Sequence, residues 1–419
     1  DLRQRNLIDT GAREAPPKAR PVPPDVPPEE RIRRTYDGRH NDLSDPEMGA
    51  VGASFGRNMA PVDPAADWME PNPVTVSEQL MKREHFIPAT TLNVLAAAWI
   101  QFQVHDWVAH ERKTLGDGDI VVDLPEGHSG WLNEFNGELE PAMRIADNIP
   151  LDPANPLLFA NASSHWWDGS EVYGNSREHA MKLRDGPRIK LDDGFLPLDM
   201  HGFELTGFNE SWWMGLSVLH TLFAREHNLL CDELARLYPT WTEERVYQTA
   251  RMIVAALIAK IHTVEWTPAI LGTEALDIGM KTNWYGPPSG DWLTRLGIWL
   301  TDVHALKGIP KTMPDHHTAP YSLTEDFVTV YRMHPLLPDD YVFYDFSTGE
   351  SRGRKKFLQI QGDMADDAMR ETGLRDALYS FGIAHPGAIT LHNFPEALRH
   401  FERNGEIIDL SVVDIVRTR

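Results

Sequence analysis

Gln101 and His105 lie four residues apart in Trp99-Ile-Gln-Phe-Gln-Val-His-Asp-Trp107. This spacing puts an amide and an imidazole on one face of an apolar helix and turns Asp106 to another. A buried amide beside a buried imidazole suggests a site, against the competing reading of a satisfied core histidine. A second pair, Tyr331 and His334, is three apart in Tyr331-Arg-Met-His334, just before Pro335 and Pro338. Its spacing predicts a shared face of a helix over 323–334, opened by a Ser322 and Glu325 capping box and stopped by the prolines. One such pair is readily core packing. Two helical histidines together suggest a haem held between two helices, His334 on the iron and His105 on the open side, and they leave other metals open.

Ser164-His-Trp-Trp-Asp-Gly-Ser170 offers oxygens at alternate positions: the Ser164 hydroxyl, the Trp166 carbonyl, the Asp168 carboxylate and the Ser170 hydroxyl. That set suits calcium if a second carboxylate joins it, and an ordinary Asx or Ser turn if none does. Asp106 could be that carboxylate and would clip the loop to the His105 helix. His262 and Thr267, in Ile261-His-Thr-Val-Glu-Trp-Thr-Pro268, bring an imidazole and a hydroxyl to a helix end, able to hold an anion such as a carboxylate. Arg225-Glu-His-Asn228 interrupts the apolar stripe of Leu216, Leu219, Phe223 and Leu230, and reads as a structural ion-pair network.

The elements that must carry these residues are mostly helical. Apolar residues recur at three and four over 90–112, 209–236, 242–262, 323–334 and 394–403, and strand-like alternation is scarce. Pro and Gly cluster at 144–157, 286–290 and 307–320, which marks connecting loops. Residues 1–60 form a Pro-rich arm whose composition favours extended chain, and 61–419 read as one mainly α domain with long loops and little β.

Composition narrows the partners. A chain of 419 residues, 42% hydrophobic with 13 Trp, builds a large core, and 40 basic against 62 acidic residues give a net charge of −22. Such a charge repels phosphate backbones, which excludes nucleic acid, and it disfavours nonspecific binding to anionic membrane. The lone Cys231 excludes an internal disulfide and a thiolate metal cluster and fits a reducing compartment. The apolar windows 92–100 and 252–261 are about half of the ~20 residues a membrane span needs, and no signal-peptide pattern opens the chain. The expected location is cytoplasmic or peripheral to a membrane.

From about Asp37 onward the chain resembles the animal-type haem peroxidase and cyclooxygenase superfamily, most closely its fatty-acid alpha-dioxygenases. The resemblance is carried by Asp37-Gly-Arg-His-Asn-Asp42, Phe55-Gly-Arg-Asn58, the Trp99 to Trp107 string, Trp166-Trp-Asp-Gly-Ser170, Arg225-Glu-His-Asn228, the Ile261 to Thr267 string, Tyr331-Arg-Met-His334 and Gly387-Ala-Ile-Thr390. It implies a peroxidase-like helical domain with noncovalent haem b, proximal ligand His334, distal base His105 and Gln101 beside it. It further implies that Tyr331 becomes a radical that removes hydrogen from C2 of a long-chain fatty acid, that dioxygen adds there, and that a hydroperoxide activates the enzyme. His262 and Thr267 would orient the substrate carboxylate. Asp106, Ser164, Trp166, Asp168 and Ser170 would hold Ca2+.

Three departures accompany the resemblance. Asn209 stands near the place of the peroxidases' distal Arg, and Val104 and Trp212 occupy the places of their haem-linking carboxylates. Relatives continue beyond the segment matching 409–419 and place an Arg against the substrate carboxylate. A linoleate-type dioxygenase, a haem peroxidase using H2O2 and a non-catalytic haem-binding scaffold are the alternative functions.

Overall fold

The three- and four-residue apolar spacing builds a stack of three helices at the centre of the computed structural model, which describes residues 34–41, 46–57, 68–126, 133–135, 138–140, 142–285, 323–403 and 406–418. Helix α1 (Val94–Val104) is apolar all round and buries Val94, Ala98, Trp99, Ile100 and Phe102, as a helix enclosed on every side must. Asn93 caps it by accepting from the Ala96 N–H at 3.1 Å. Helix α2 (Met214–Leu237) and helix α3 (Glu243–Ile261) are amphipathic, and Leu216, Leu219 and Phe223 of α2 meet Tyr247, Val254 and Ile258 of α3 in the same core.

Helix α1 is shorter than the periodicity over 90–112 predicts. It stops at Val104, with His105 as its C-cap, and the next residue carries a buried carboxylate that draws the chain aside toward the hydroxyls of Ser163 and Ser170. Helix α4 is shorter still. It spans only Glu325–Val330, capped by Thr324, whose Oγ1 accepts from the Phe327 N–H at 3.1 Å; Ser322 lies outside the described residues. Pro335 has no N–H to give to the Tyr331 carbonyl and its ring crowds that turn, so the helix ends with Tyr331 as the C-cap and His334 opens a separate 3-10 turn, His334–Leu336. Tyr331 and His334 therefore do not share a helix face.

Helix α3 runs on where the sequence reading ended it. A π turn, His262–Trp266, and a further α turn, Thr267–Ile270, continue it without a break. The continuous stretch Glu243–Ile270, 28 residues, is long and apolar enough to cross a membrane by length and composition, which the shorter windows in the sequence did not indicate. Its first half buries Tyr247, Arg251, Val254 and Ile258 against the rest of the protein. Helices α5 (Met364–Thr372) and α6 (Leu374–Ile383) pack against α2, and helix α7 (Leu410–Thr418) packs against α4.

The expectation of a mainly α fold with little β holds. Among the described residues strands pair only in twos, as antiparallel hairpins such as Ile120–Asp123 with Ala142–Ile145 and Asp340–Tyr344 with Ser351–Lys356. The helix expected over 394–403 is one turn, Glu396–Arg399, followed by a strand, Phe401–Arg403. Of the Pro-rich arm, residues 34–41 and 46–57 lie against the helices: Met48, Ala50 and Phe55 are buried, and the Tyr36 hydroxyl accepts from Gln248 at 2.9 Å.

Candidate active site

His105 is fully enclosed at the end of α1. Its ring meets Phe208 edge-on at 5.0 Å and His220 at 5.4 Å, and neither nitrogen makes a hydrogen bond of normal geometry among the described residues. Burial lowers its pKa to about 3, so the imidazole is neutral across the physiological range. The Glu210 backbone is the polar group that faces the ring, and a buried neutral imidazole without a well-formed hydrogen bond keeps capacity for a ligand. Gln101 is held differently: its Oε1 accepts from Trp213 Nε1 at 2.7 Å and its Nε2 donates to the Ser211 carbonyl at 3.0 Å, which bolts α1 to the start of α2.

His334 faces a partner the sequence reading missed. Its Nδ1 lies 2.6 Å from Asp414 on α7, whose other oxygen accepts from Arg332 at 3.2 Å. The Nδ1 contact leaves Nε2 as the nitrogen for a metal, the usual arrangement of a ligating imidazole braced from behind. Asp414 is a single acid among Ser411, Val412, Val413, Ile415 and Val416, a pattern that could have marked it as buried and paired.

Tyr331 stacks on Phe327 at 4.1 Å and is half-buried, which raises its pKa and keeps the phenol protonated. With Met333 and Trp266 it packs against Ala97 and Ile100 of α1 and Leu336 of the 3-10 turn. Helix α1, the tyrosine and the His334 segment thus meet in one apolar cluster. A clamp fixes the start of α4: Glu325 takes His110 Nε2 at 3.0 and 3.1 Å, and the His110 ring stacks on Phe55 at 4.3 Å.

His262 lies between Trp167, at 5.2 Å, and Trp266, stacked at 4.8 Å. Burial lowers its pKa to about 4, so this residue is a neutral donor rather than the cation its type allows, and its Nδ1 has no partner among the described residues. The π turn is what joins it to Thr267. Five residues along an α-helix are separated by about 140° of rotation, whereas i→i+5 bonding stacks them. Trp266 then links the pair to the Tyr331 cluster.

Around the loop 164–170, Asp106 accepts from Ser163 at 3.0 Å and from Ser170 at 2.5 Å, while Ser164 donates to Asp168 at 2.6 Å. Both carboxylates are completely buried. Burial, despite the Ser170 hydrogen bond and with the Asp168 charge adding to it, raises Asp106 to about 7; burial also raises Asp168. Asp106 Oδ1 and Glu171 Oε1 are buried without a hydrogen-bond partner among the described residues. Within those residues no three His, Cys, Asp or Glu side chains converge, so a cation here would rely on the hydroxyl and carbonyl oxygens as well. Ser163 and Glu171 escaped the sequence reading.

One further expectation is corrected by the geometry. Arg225-Glu-His-Asn228 is not an ion-pair network: Arg225 donates to the Gly194 carbonyl at 2.7 Å, His227 Nδ1 meets the Tyr173 hydroxyl at 3.0 Å, and Asn228 brackets the Ile189 backbone at 2.8 and 2.9 Å. Here side chains satisfy the backbone of a neighbouring hairpin, which hydrogen bonds do without burying opposed charges. Asn209 donates to the Glu204 carbonyl at 3.1 Å, and Trp212 donates to Glu204 Oε2 at 2.7 Å.

A family model described as animal haem peroxidase matches residues 33–419. Alpha-dioxygenase PIOX of Oryza sativa subsp. japonica is 34% identical over 412 residues, covering 94% of this chain and 65% of the relative. Alpha-dioxygenase 2 of Arabidopsis thaliana is 34% identical over 407 residues, covering 92% and 63%. The chain thus spans just under two thirds of the length of these curated relatives. The crystal structure of Oryza sativa fatty acid alpha-dioxygenase superposes with a TM-score of 0.83 at 30% identity, over 99% of this chain and 69% of that one; a tyrosine-to-phenylalanine variant of the rice protein, solved with palmitic acid, matches equally.

Proposed function

The chain belongs to the animal haem peroxidase family, and from that premise we propose that it is a haem-dependent fatty-acid alpha-dioxygenase, converting a long-chain fatty acid and O2 into a 2-hydroperoxy fatty acid. The observation that carries this reading is the apolar cluster in which Tyr331 and Trp266 pack together, with His262 stacked on Trp266. A carboxylate held at the His262 ring, on the turn that Thr267 fixes, would bring its adjacent carbon toward the cluster that holds the phenol.

The residues fit a haem: His334 would ligate it through Nε2, His105 would face its open side, and its chemistry is to supply one-electron oxidising power after reaction with a hydroperoxide. His105, neutral and without a hydrogen bond of normal geometry, accepts the first proton of the hydroperoxide and returns it to the leaving oxygen. Tyr331, oxidised to a phenoxyl radical, takes a hydrogen atom from C2 of the fatty acid. O2 adds to the carbon radical, and the peroxyl radical recovers a hydrogen atom from the Tyr331 hydroxyl, so the tyrosyl radical is regenerated. The wall formed by Trp266, Ala97 and Ile100 keeps the aliphatic chain and the radical away from water, and Trp167 covers the His262 ring. Ca2+ held by Asp106, Ser164, Trp166, Asp168 and Ser170 would tie the loop to the end of α1 and neutralise two buried carboxylates.

Mass analysis of the haem-reconstituted protein incubated with palmitate and O2 tests the reading. A 2-hydroperoxy product supports it, because a saturated chain has no bis-allylic position. Oxygenation of linoleate with none of palmitate overturns it.

A further inference from the structure

Trp167 stands between two of the oxygens assigned to Ca2+, the Trp166 carbonyl and the Asp168 carboxylate, at the apex of a three-residue turn that the Asp168 N–H closes on the Trp166 carbonyl at 2.9 Å. Its ring lies against His262 at 5.2 Å and meets Trp107 edge-on at 4.9 Å. Trp107 is itself the residue after Asp106, whose buried carboxylate accepts from Ser163 and Ser170. Trp266, the other ring on His262, is tied to α1 instead, its indole N–H donating to the Ala96 carbonyl at 3.4 Å. The two segments that a cation would join therefore carry the two indoles that pack together beside His262.

We propose that Trp167 is a positioning residue through which Ca2+ occupancy sets the affinity of the His262 ring for a fatty-acid carboxylate. This rests on the readings of the 106 and 164–170 oxygens as a Ca2+ site and of His262 as the group that holds the carboxylate. A bound cation draws Asp106 and Asp168 onto one centre, which seats Trp107 against Trp167 and Trp167 against His262, and edge-on and tilted aromatic contacts hold such rings at fixed angles. Without the cation, two fully buried carboxylates repel each other and the turn that carries Trp167 loosens. His262 then keeps its stack on Trp266 but loses a fixed edge on Trp167, and the freedom it regains must be given up again when a carboxylate binds.

The test measures palmitate affinity by anaerobic calorimetry on the haem-loaded full chain, where the absence of O2 prevents turnover. Native protein and Trp167→Ala are each compared in two states: loaded with Ca2+ and desalted, so that no calcium soap forms, and treated with chelator. Native affinity is expected to fall about tenfold on chelation. Trp167→Ala is expected to retain Ca2+, to bind palmitate about tenfold more weakly even when loaded, and to lose little more on chelation. Trp167→Phe should restore part of the difference, and it serves as the reading should Trp167→Ala fail to fold.

A purely structural Trp167 would lower the melting temperature of Trp167→Ala while leaving a chelation effect of native size, and that result overturns the proposal. Equal native affinities in the two states overturn it as well, as does a native protein that retains no Ca2+ after loading. His262→Ala separates the coupling from the reading beneath it. Unchanged palmitate affinity in that variant sinks the carboxylate assignment, whereas a loss there without any calcium effect in the native protein sinks the coupling alone.

Discussion

Thr267 gives both its backbone N–H and its hydroxyl, at 2.7 Å, to the carbonyl oxygen of His262. The π turn between them spends its extra residue to set a threonine directly over a histidine, and such turns recur at functional sites. The Thr267 side chain therefore acts first on the turn, and the His262 ring is left as the group that meets the substrate.

Substitutions should separate these two roles. His262→Ala removes a hydrogen bond to a charged carboxylate, about 1.5–3 kcal/mol, so KM for palmitate should rise about 10- to 150-fold. Thr267→Val loses one neutral hydrogen bond while the backbone bond still holds the turn, about 1 kcal/mol or about fivefold in KM. Steady-state oxygen uptake reads both. A larger loss from Thr267→Val than from His262→Ala would reverse the assignment.

Acid should leave the distal base untouched over a wide range. His105 has its pKa lowered by burial to about 3 and His262 to about 4, from 6.5, so each is neutral above those values and takes up a proton only below them. The rate constant for reaction of the haem-loaded protein with hydrogen peroxide should stay level from pH 8 down to about 5. Stopped-flow measurements would show an inflection near 6.5 if the base were an ordinary exposed histidine.

Calcium should matter more as pH rises. Without a cation, folded Asp106 keeps its proton up to about pH 7, whereas in the unfolded chain it releases it near about 4. The metal-free protein therefore loses stability as pH climbs from about 4 through about 7, and a bound Ca2+ in place of the proton removes that loss. The drop in melting temperature caused by a chelator should be larger at pH 7.5 than at pH 5.5. Equal melting curves with chelator and with added Ca2+ at both values would leave a plain turn.

The chemistry-bearing strings were legible because each is local: four residues bring Gln101 and His105 to adjacent turns, and seven contain the oxygens of 164–170. The three long helices were legible for the same reason, since a 3.6-residue period repeats within each. What the sequence concealed depends on distance or on a small change of period. Asp414 reaches His334 across 80 residues, and the His262 turn alters the pitch of a helix whose apolar pattern continues through it. Helix α4 looked longer than it is because the apolar spacing runs on to residue 334, while the donor that Pro335 lacks belongs to the backbone, which the pattern does not register. The hairpins escaped because strands as short as Arg184–Asp185 leave no alternation to read.

Tyr331→Phe tests the central claim most directly, since it removes one oxygen atom and leaves a nearly isosteric ring stacked on Phe327. Oxygen uptake with palmitate and electron paramagnetic resonance after peroxide addition should be recorded together on the haem-loaded variant and the native protein. Haem content and peroxide reaction should be retained, the native tyrosyl signal should vanish or move to another residue, and oxygen uptake should fall to background. Native rates of 2-hydroperoxide formation in Tyr331→Phe would contradict it.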